Sequence, residues 1–229
     1  MEGTLTSVVE FASTVDACTM RMYLSSYKIG NQPERLKALA AATTLAFIPN
    51  AMDHVEVTDR EESNAIALKE VRSVGIHVEP LDLRSYFGRP SALKEELAKF
   101  GGVWVRGGNT FVLRQAMRLS GFDEIIRAKA KTDFLYAGYS AAACILAPTL
   151  HGLQQVDDPT ACPYSNSAVI WEGLDLLDYL ILPHYKSDHP ESKDIDKEVE
   201  YCRREGIKYR TLRDGDVIIL DTLIPDGFS

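Results

Sequence analysis

Along the chain, short apolar runs alternate with longer stretches whose apolar positions recur at helical spacing. The runs are Met22–Leu24, Thr44–Ile48, Ile76–Val78, Val103–Val105, Phe134–Ala137, Tyr179–Leu182 and Val217–Leu220. Each has the length of a strand, and continuous apolar character suits strands covered on both faces, as in a parallel sheet. Between them, Leu93 with Leu97, Val112 and Leu113 with Ala116 and Met117, and Ile195 with Val199 and Cys202 mark helix faces. On the last of these, Asp194, Asp196, Lys197, Glu198 and Glu200 form the polar side. The alternation predicts an α/β fold: a single doubly wound, mostly parallel sheet with helices on both faces. No repeat, low-complexity tract or Pro/Ser-rich linker interrupts residues 20–229, which read as one domain. Residues 1–19 show neither the basic n-region nor the apolar core of a secretory signal. They are expected to be an extension with little part in the fold.

Composition narrows the chemistry. The 229 residues, 45% apolar and 25% charged, have the proportions of an ordinary globular chain. A net charge of -8 opposes nucleic acid or an anionic membrane as the main partner, since both select a basic face. No apolar run approaches the ~20 residues of a membrane span. Cys18, Cys144, Cys162 and Cys202 are scattered, with no CxxC pair or zinc-type spacing. Reduced thiols and a cytoplasmic location are therefore expected. The apolar residues around Tyr164–Trp171 could serve a homo-oligomer interface.

In doubly wound sheets, ligands sit beyond the carboxyl ends of the strands, which directs attention to the residues after each apolar run. Phe134–Ala137 is followed by Gly138-Tyr139-Ser140-Ala141-Ala142, a sharp strand-to-helix turn of small residues around a Ser. This pattern is that of a nucleophile elbow, although Ala142 stands where G-x-S-x-G has its last Gly. A Ser that merely caps the helix is an equally open reading of this motif alone. Val103–Val105 runs into Arg106-Gly107-Gly108-Asn109-Thr110, whose glycines allow close backbone approach and could supply an oxyanion donor. The plain alternative is a turn with Asn109 as helix cap. Tyr179–Leu182 ends at Pro183-His184-Tyr185, placing a His on the same rim as Ser140, where a general base belongs. His189 lies in a polar run and reads as solvated. A metal site at His184 is not expected.

Taken together, Gly107-Gly108-Asn109-Thr110-Phe111, Gly138-Tyr139-Ser140-Ala141, Pro148, Asp157-Asp158-Pro159, Pro183-His184-Tyr185 and Leu212-Arg213-Asp214-Gly215 resemble the peptidase family of dipeptidase E. That family contains the aspartyl dipeptidases and the cyanophycinases. Tyr23-Leu24-Ser25-Ser26 resembles its first strand, so the likeness runs from about Met22 to about Leu220. The resemblance implies a fold similar to class I glutamine amidotransferases, of flavodoxin-like type, with Ser140 as nucleophile and His184 as base. It implies an oxyanion hole from the Gly108 and Ala141 N–H groups. Asp214 is favoured as the third triad member, with Asp158 next and Asp157 in the same loop. It further implies a small peptide substrate with an N-terminal acidic residue and no metal or organic cofactor. Arg106, Lys186, Lys193 and Lys197 are candidate partners for the substrate carboxylate, and Asn109 and Asp157 candidate binding residues.

Two other readings stay open at this level. One is a catalytically silent relative that binds a peptide or metabolite in the same crevice, suggested by the added bulk of Ala142 and Arg106. The other is an α/β-hydrolase esterase sharing only the elbow, disfavoured because Asp214 follows His184 in the chain.

Overall fold

A computed structural model of the chain describes residues 20–165 and 168–221. The segment 1–19, expected to be an extension, lies outside the described residues. Strands β1 (Arg21–Ser25), β2 (Thr44–Ile48), β3 (His77–Pro80), β4 (Gly102–Val105), β5 (Leu135–Tyr139) and β8 (Val217–Leu220) form a six-stranded sheet in the order β3-β2-β4-β5-β1-β8. Its first five members run parallel, and β8 closes the edge antiparallel to β1. The mostly parallel α/β sheet expected from the apolar runs is thus observed.

One run sits elsewhere. Residues of the Tyr179–Leu182 run form β6 (Leu180–Leu182), which pairs in parallel with β7 (Tyr209–Thr211) in a separate two-stranded sheet. β7 alternates exposed and half-buried positions and carries no continuous apolar run.

Alternate residues of the central strands feed two cores. Met22, Leu24, Ile48, Val103 and Val105 pack on α3 (Pro90–Leu97), α4 (Thr110–Ser120) and α5 (Phe122–Lys129). Tyr23, Leu45, Phe47, Trp104 and Ala137 pack on α1 (Pro33–Leu39) and α2 (Val57–Ser73). This two-sided burial is why the strands read as apolar runs. A third cluster joins β6 to α7 (Ser192–Glu205) through Leu180, Leu182, Ile195, Val199 and Cys202. The apolar stripe of α7 is the expected one, but Glu198, expected on its polar side, is buried. No helix among the described residues is long and apolar enough to cross a membrane.

The sheet register sets up the site. Val105 of β4 stands opposite Gly138 of β5, so the turns after these two strands emerge side by side at their carboxyl ends. β1 ends beside them, with Ser25 opposite Tyr139.

Candidate active site

Steric demand shapes the turn after β5. A Cβ on Gly138 would lie 2.3 Å from the Val105 carbonyl oxygen and 2.6 Å from Ala142 Cβ, so only Gly lets strand and following helix close together. Ser140 then adopts φ 51° and ψ -114°, a conformation that L residues rarely hold. The short helix α6 (Ala141–Cys144) follows, yet Ser140 makes no side-chain cap to it. Its Oγ instead lies 3.2 Å from His184 Nε2. This geometry removes the helix-cap reading of Ser140. Cys144, one turn further, is buried, and burial pushes its thiol well above the ordinary cysteine range. It is no alternative nucleophile.

His184 follows β6, also at positive φ (60°), and is 2% exposed. Its Nδ1 lies 2.7 Å from Asp214 Oδ1. Ser26, directly after β1, ties the two together: its Oγ accepts the His184 N–H at 2.9 Å and donates to Asp214 Oδ1 at 3.1 Å. The Asp214 N–H in turn donates to Ser187 Oγ at 2.8 Å. Burial lowers the His184 pKa from its ordinary 6.5, opposed by the hydrogen bond to Asp214 and reinforced by nearby His189.

The glycine turn after β4 faces this triad-like chain. A Cβ on Gly107 would lie 2.6 Å from the Tyr139 ring, and one on Gly108 (φ 145°) 2.6 Å from the Ala51 carbonyl oxygen. Gly107, Gly108, Ser140 and His184 line one cleft of about 340 Å³. That volume falls within the ~300–1,000 Å³ range of small-ligand sites. The N–H groups of Gly108 and Ala141 have no acceptor among the described residues, as oxyanion donors require.

The remaining expected site residues divide. Arg106 lines the cleft but is mostly buried, donating to Ser63 Oγ at 2.6 Å and to Asn64 Oδ1; it is no free surface Arg. Asn109 caps α4, accepting the N–H groups of Phe111 and Val112, and donates to the Asp158 carbonyl at 3.0 Å. Its position is therefore that of a helix cap outside the cleft lining. Asp158 does not reach His184; its exposed carboxylate accepts from Thr160. Asp157 also misses His184 and accepts the Thr110 N–H at 2.8 Å, while burial raises its pKa to about 6. Lys197 pairs with Asp194 on the exposed side of α7, away from the cleft, because helix periodicity turns it opposite Ile195. Lys186 and Lys193 are exposed and do not line the cleft either.

Among the cleft residues not singled out from sequence are the polar groups of Tyr27, Lys28, Glu70 and Glu191. His189, read as solvated, instead stacks on the His184 ring at 3.7 Å between centroids and 14° between planes. Ser26 was within reach of sequence reasoning, since it stands directly after an apolar run. His189 and Glu191 gave no such signal, because the positive-φ residues His184 and Lys186 fold their polar loop back over the site. Among the described residues, His184, His189 and Glu191 offer ligand atoms within 4.8 Å of one another. A shared ion would have to lie in the planes of both imidazoles, and two stacked rings do not allow that without rotation of one.

Residues 29–221 match the model of peptidase family S51. An uncharacterized peptidase of Listeria monocytogenes is 33% identical over 144 residues, 63% of this chain and 66% of that protein. Peptidase E of Streptomyces coelicolor is 32% identical over 155 residues, 67% of this chain and 56% of that protein. The matched part thus spans less than two thirds of either relative's length, 66% of the first and 56% of the second. A crystal structure described as a candidate peptidase E from L. monocytogenes superimposes with a TM-score of 0.67 at 26% identity, covering 88% of this chain and 98% of the other.

Proposed function

From the premise that this chain belongs to peptidase family S51, we propose that it is a serine exopeptidase acting on short peptides with an N-terminal acidic residue. The observation that carries this reading is the continuous chain Ser140–His184–Asp214, with Ser140 held on a strained strand-to-helix turn. With Nδ1–H donated to Asp214, His184 presents the Nε2 lone pair to Ser140. Ser140 Oγ attacks the scissile carbonyl and His184 Nε2 takes its proton. The tetrahedral oxyanion forms between the Gly108 and Ala141 N–H groups, a contribution of ~3 kcal/mol for each well-placed donor. Collapse breaks the C–N bond, and the amine leaves with the proton from His184. Water then attacks the Ser140 ester, giving its proton to His184, and the carboxylic acid product is released as Ser140 is reprotonated. No step calls for a metal or organic cofactor.

Arg106 and Lys28 are the cations of the cleft and support an acidic first residue. Turnover of a dipeptide panel tests this: Asp-X and Glu-X are expected to exceed Gly-X in kcat/KM by about tenfold or more, the scale of one charged contact. Equal rates would reject the acidic preference. Failure to cleave any member, with tight binding of one, would favour the catalytically silent reading.

The pH profile offers a second check. His184 acts as base only when neutral, so activity falls as pH drops through its pKa. Burial lowers that pKa below 6.5, and the acid limb of kcat/KM is expected below that value. A limb centred above 7 would contradict this assignment of the base.

A further inference from the structure

Behind the proposed nucleophile, Asp157, Glu191 and Glu198 converge on a second, smaller cavity of about 10 Å³. That is about the least volume that admits one water-sized group. Ser140 and Glu191 line both this cavity and the main cleft, so the two meet at the reacting hydroxyl. The other walls include Leu153, Val156 and Ile195, and no Lys or Arg among the described residues lines it. Glu198 is 2% exposed, and its Oε2 has no hydrogen-bond partner among the described residues. An unpartnered carboxylate oxygen in such a setting is costly unless a cation or donor arrives to meet it. By spacing, Glu198 shares the face of α7 that carries Ile195, Val199 and Cys202, and the packing of that face against β6 buries it in spite of its charge.

We propose that this cavity is the subsite for the α-ammonium group of the substrate, with Glu198 and Asp157 as its anionic partners and Glu191 at its opening. The proposal rests on the peptidase reading above and sharpens it into a requirement for a free amino terminus. In such a peptide the ammonium nitrogen is two bonds from the first carbonyl carbon, a span of ~2.5 Å. A carbonyl poised on Ser140 Oγ therefore carries its ammonium group into the space beside Ser140. At an internal bond, a further residue would have to enter the same space, and a cavity of about 10 Å³ has no room for one. Burial, and after it the neighbouring Asp157, Glu191 and Asp194, hold the Glu198 carboxyl well above its usual range. An arriving ammonium group supplies the charge that offsets this cost.

Calorimetric binding to the Ser140→Ala protein, which cannot turn substrate over, tests the subsite apart from catalysis. Asp-Leu, Glu-Leu and Gly-Leu are each titrated beside their N-acetyl forms. At least one free dipeptide is expected to bind about 30-fold or more tightly than its acetylated form, the scale of a buried charge contact. Adding Glu198→Gln, which keeps the side-chain volume, is expected to remove at least about tenfold of that preference. Should the Glu198→Gln chain not fold, Asp157→Asn provides the same comparison. Equal affinity for free and acetylated forms, no binding of any dipeptide, or a preference that survives substitution would overturn the proposal. Peptide hydrolysis by the unsubstituted protein is scored separately, so the subsite can fail while the peptidase reading stands, and the reverse.

Discussion

Replacing Ser140 with Ala is expected to abolish labelling by a fluorophosphonate and to lower kcat for dipeptide hydrolysis by ~10⁴–10⁶, the usual cost of removing a serine nucleophile. Ser140 does not cap α6, so its hydroxyl is not held there for structural reasons, and its partner is the imidazole of His184. Its backbone is forced into φ 51° by the close approach of β5 and α6, which Gly138 permits. Alanine fits the same turn at similar cost, because the strain belongs to any L residue. Stability is therefore expected to change by less than about 0.5 kcal/mol, which a thermal transition would register. Retained hydrolysis in a well-folded Ser140→Ala protein would refute the mechanism. An unsubstituted protein that resists the probe would point to the silent relative.

Asp214→Asn should lower kcat by about 10⁴, as the corresponding change does in serine proteases generally. An Asn amide in this place can donate to His184 Nδ1, which moves the ring proton to Nε2 and leaves no base facing Ser140. Ser26 strengthens the case, since it grips the His184 backbone and the Asp214 carboxylate at once. The informative comparison is Asp158→Asn. Its carboxylate is exposed and, among the described residues, accepts from Thr160 alone, so kcat is expected to stay within about twofold of the unsubstituted protein. Steady-state kinetics on both variants decide the matter. If Asp158→Asn were the damaging change, the triad drawn here would be wrong.

The elbow, the glycine turn and the His after β6 could all be read from the chain, and so could the sheet that presents them. Each depends on residues adjacent in sequence: Gly138 before Ser140, Gly107 and Gly108 after Val105, Pro183 before His184. The choice among Asp157, Asp158 and Asp214 could not be read so. All three follow ordered segments, and only packing shows which carboxylate meets the ring. Lys197 and Glu198 make the same point from neighbouring positions on α7. Their charge set both on the polar side, yet Lys197 is solvated beside Asp194, while Glu198, three residues from Ile195 on the apolar stripe, is buried behind Ser140. His189 looked solvated because its neighbours are polar, but backbone turns at His184 and Lys186 lay it on the His184 ring.

By itself the sequence determined the apolar runs, the sheet class and the sharp small-residue turn around Ser140, because these follow from burial pattern and short-range steric demand. The tertiary structure decided the partners. His184 meets Ser140 across 44 residues, Asp214 across 30 and Ser26 across 158. Those separations are closed by strand order and by the separate β6–β7 pair, which no local rule of spacing contains. The buried acids behind Ser140 belong to the same class of fact. Their burial is set by where α7 packs, and burial is what makes them chemically distinct from the acids on the surface.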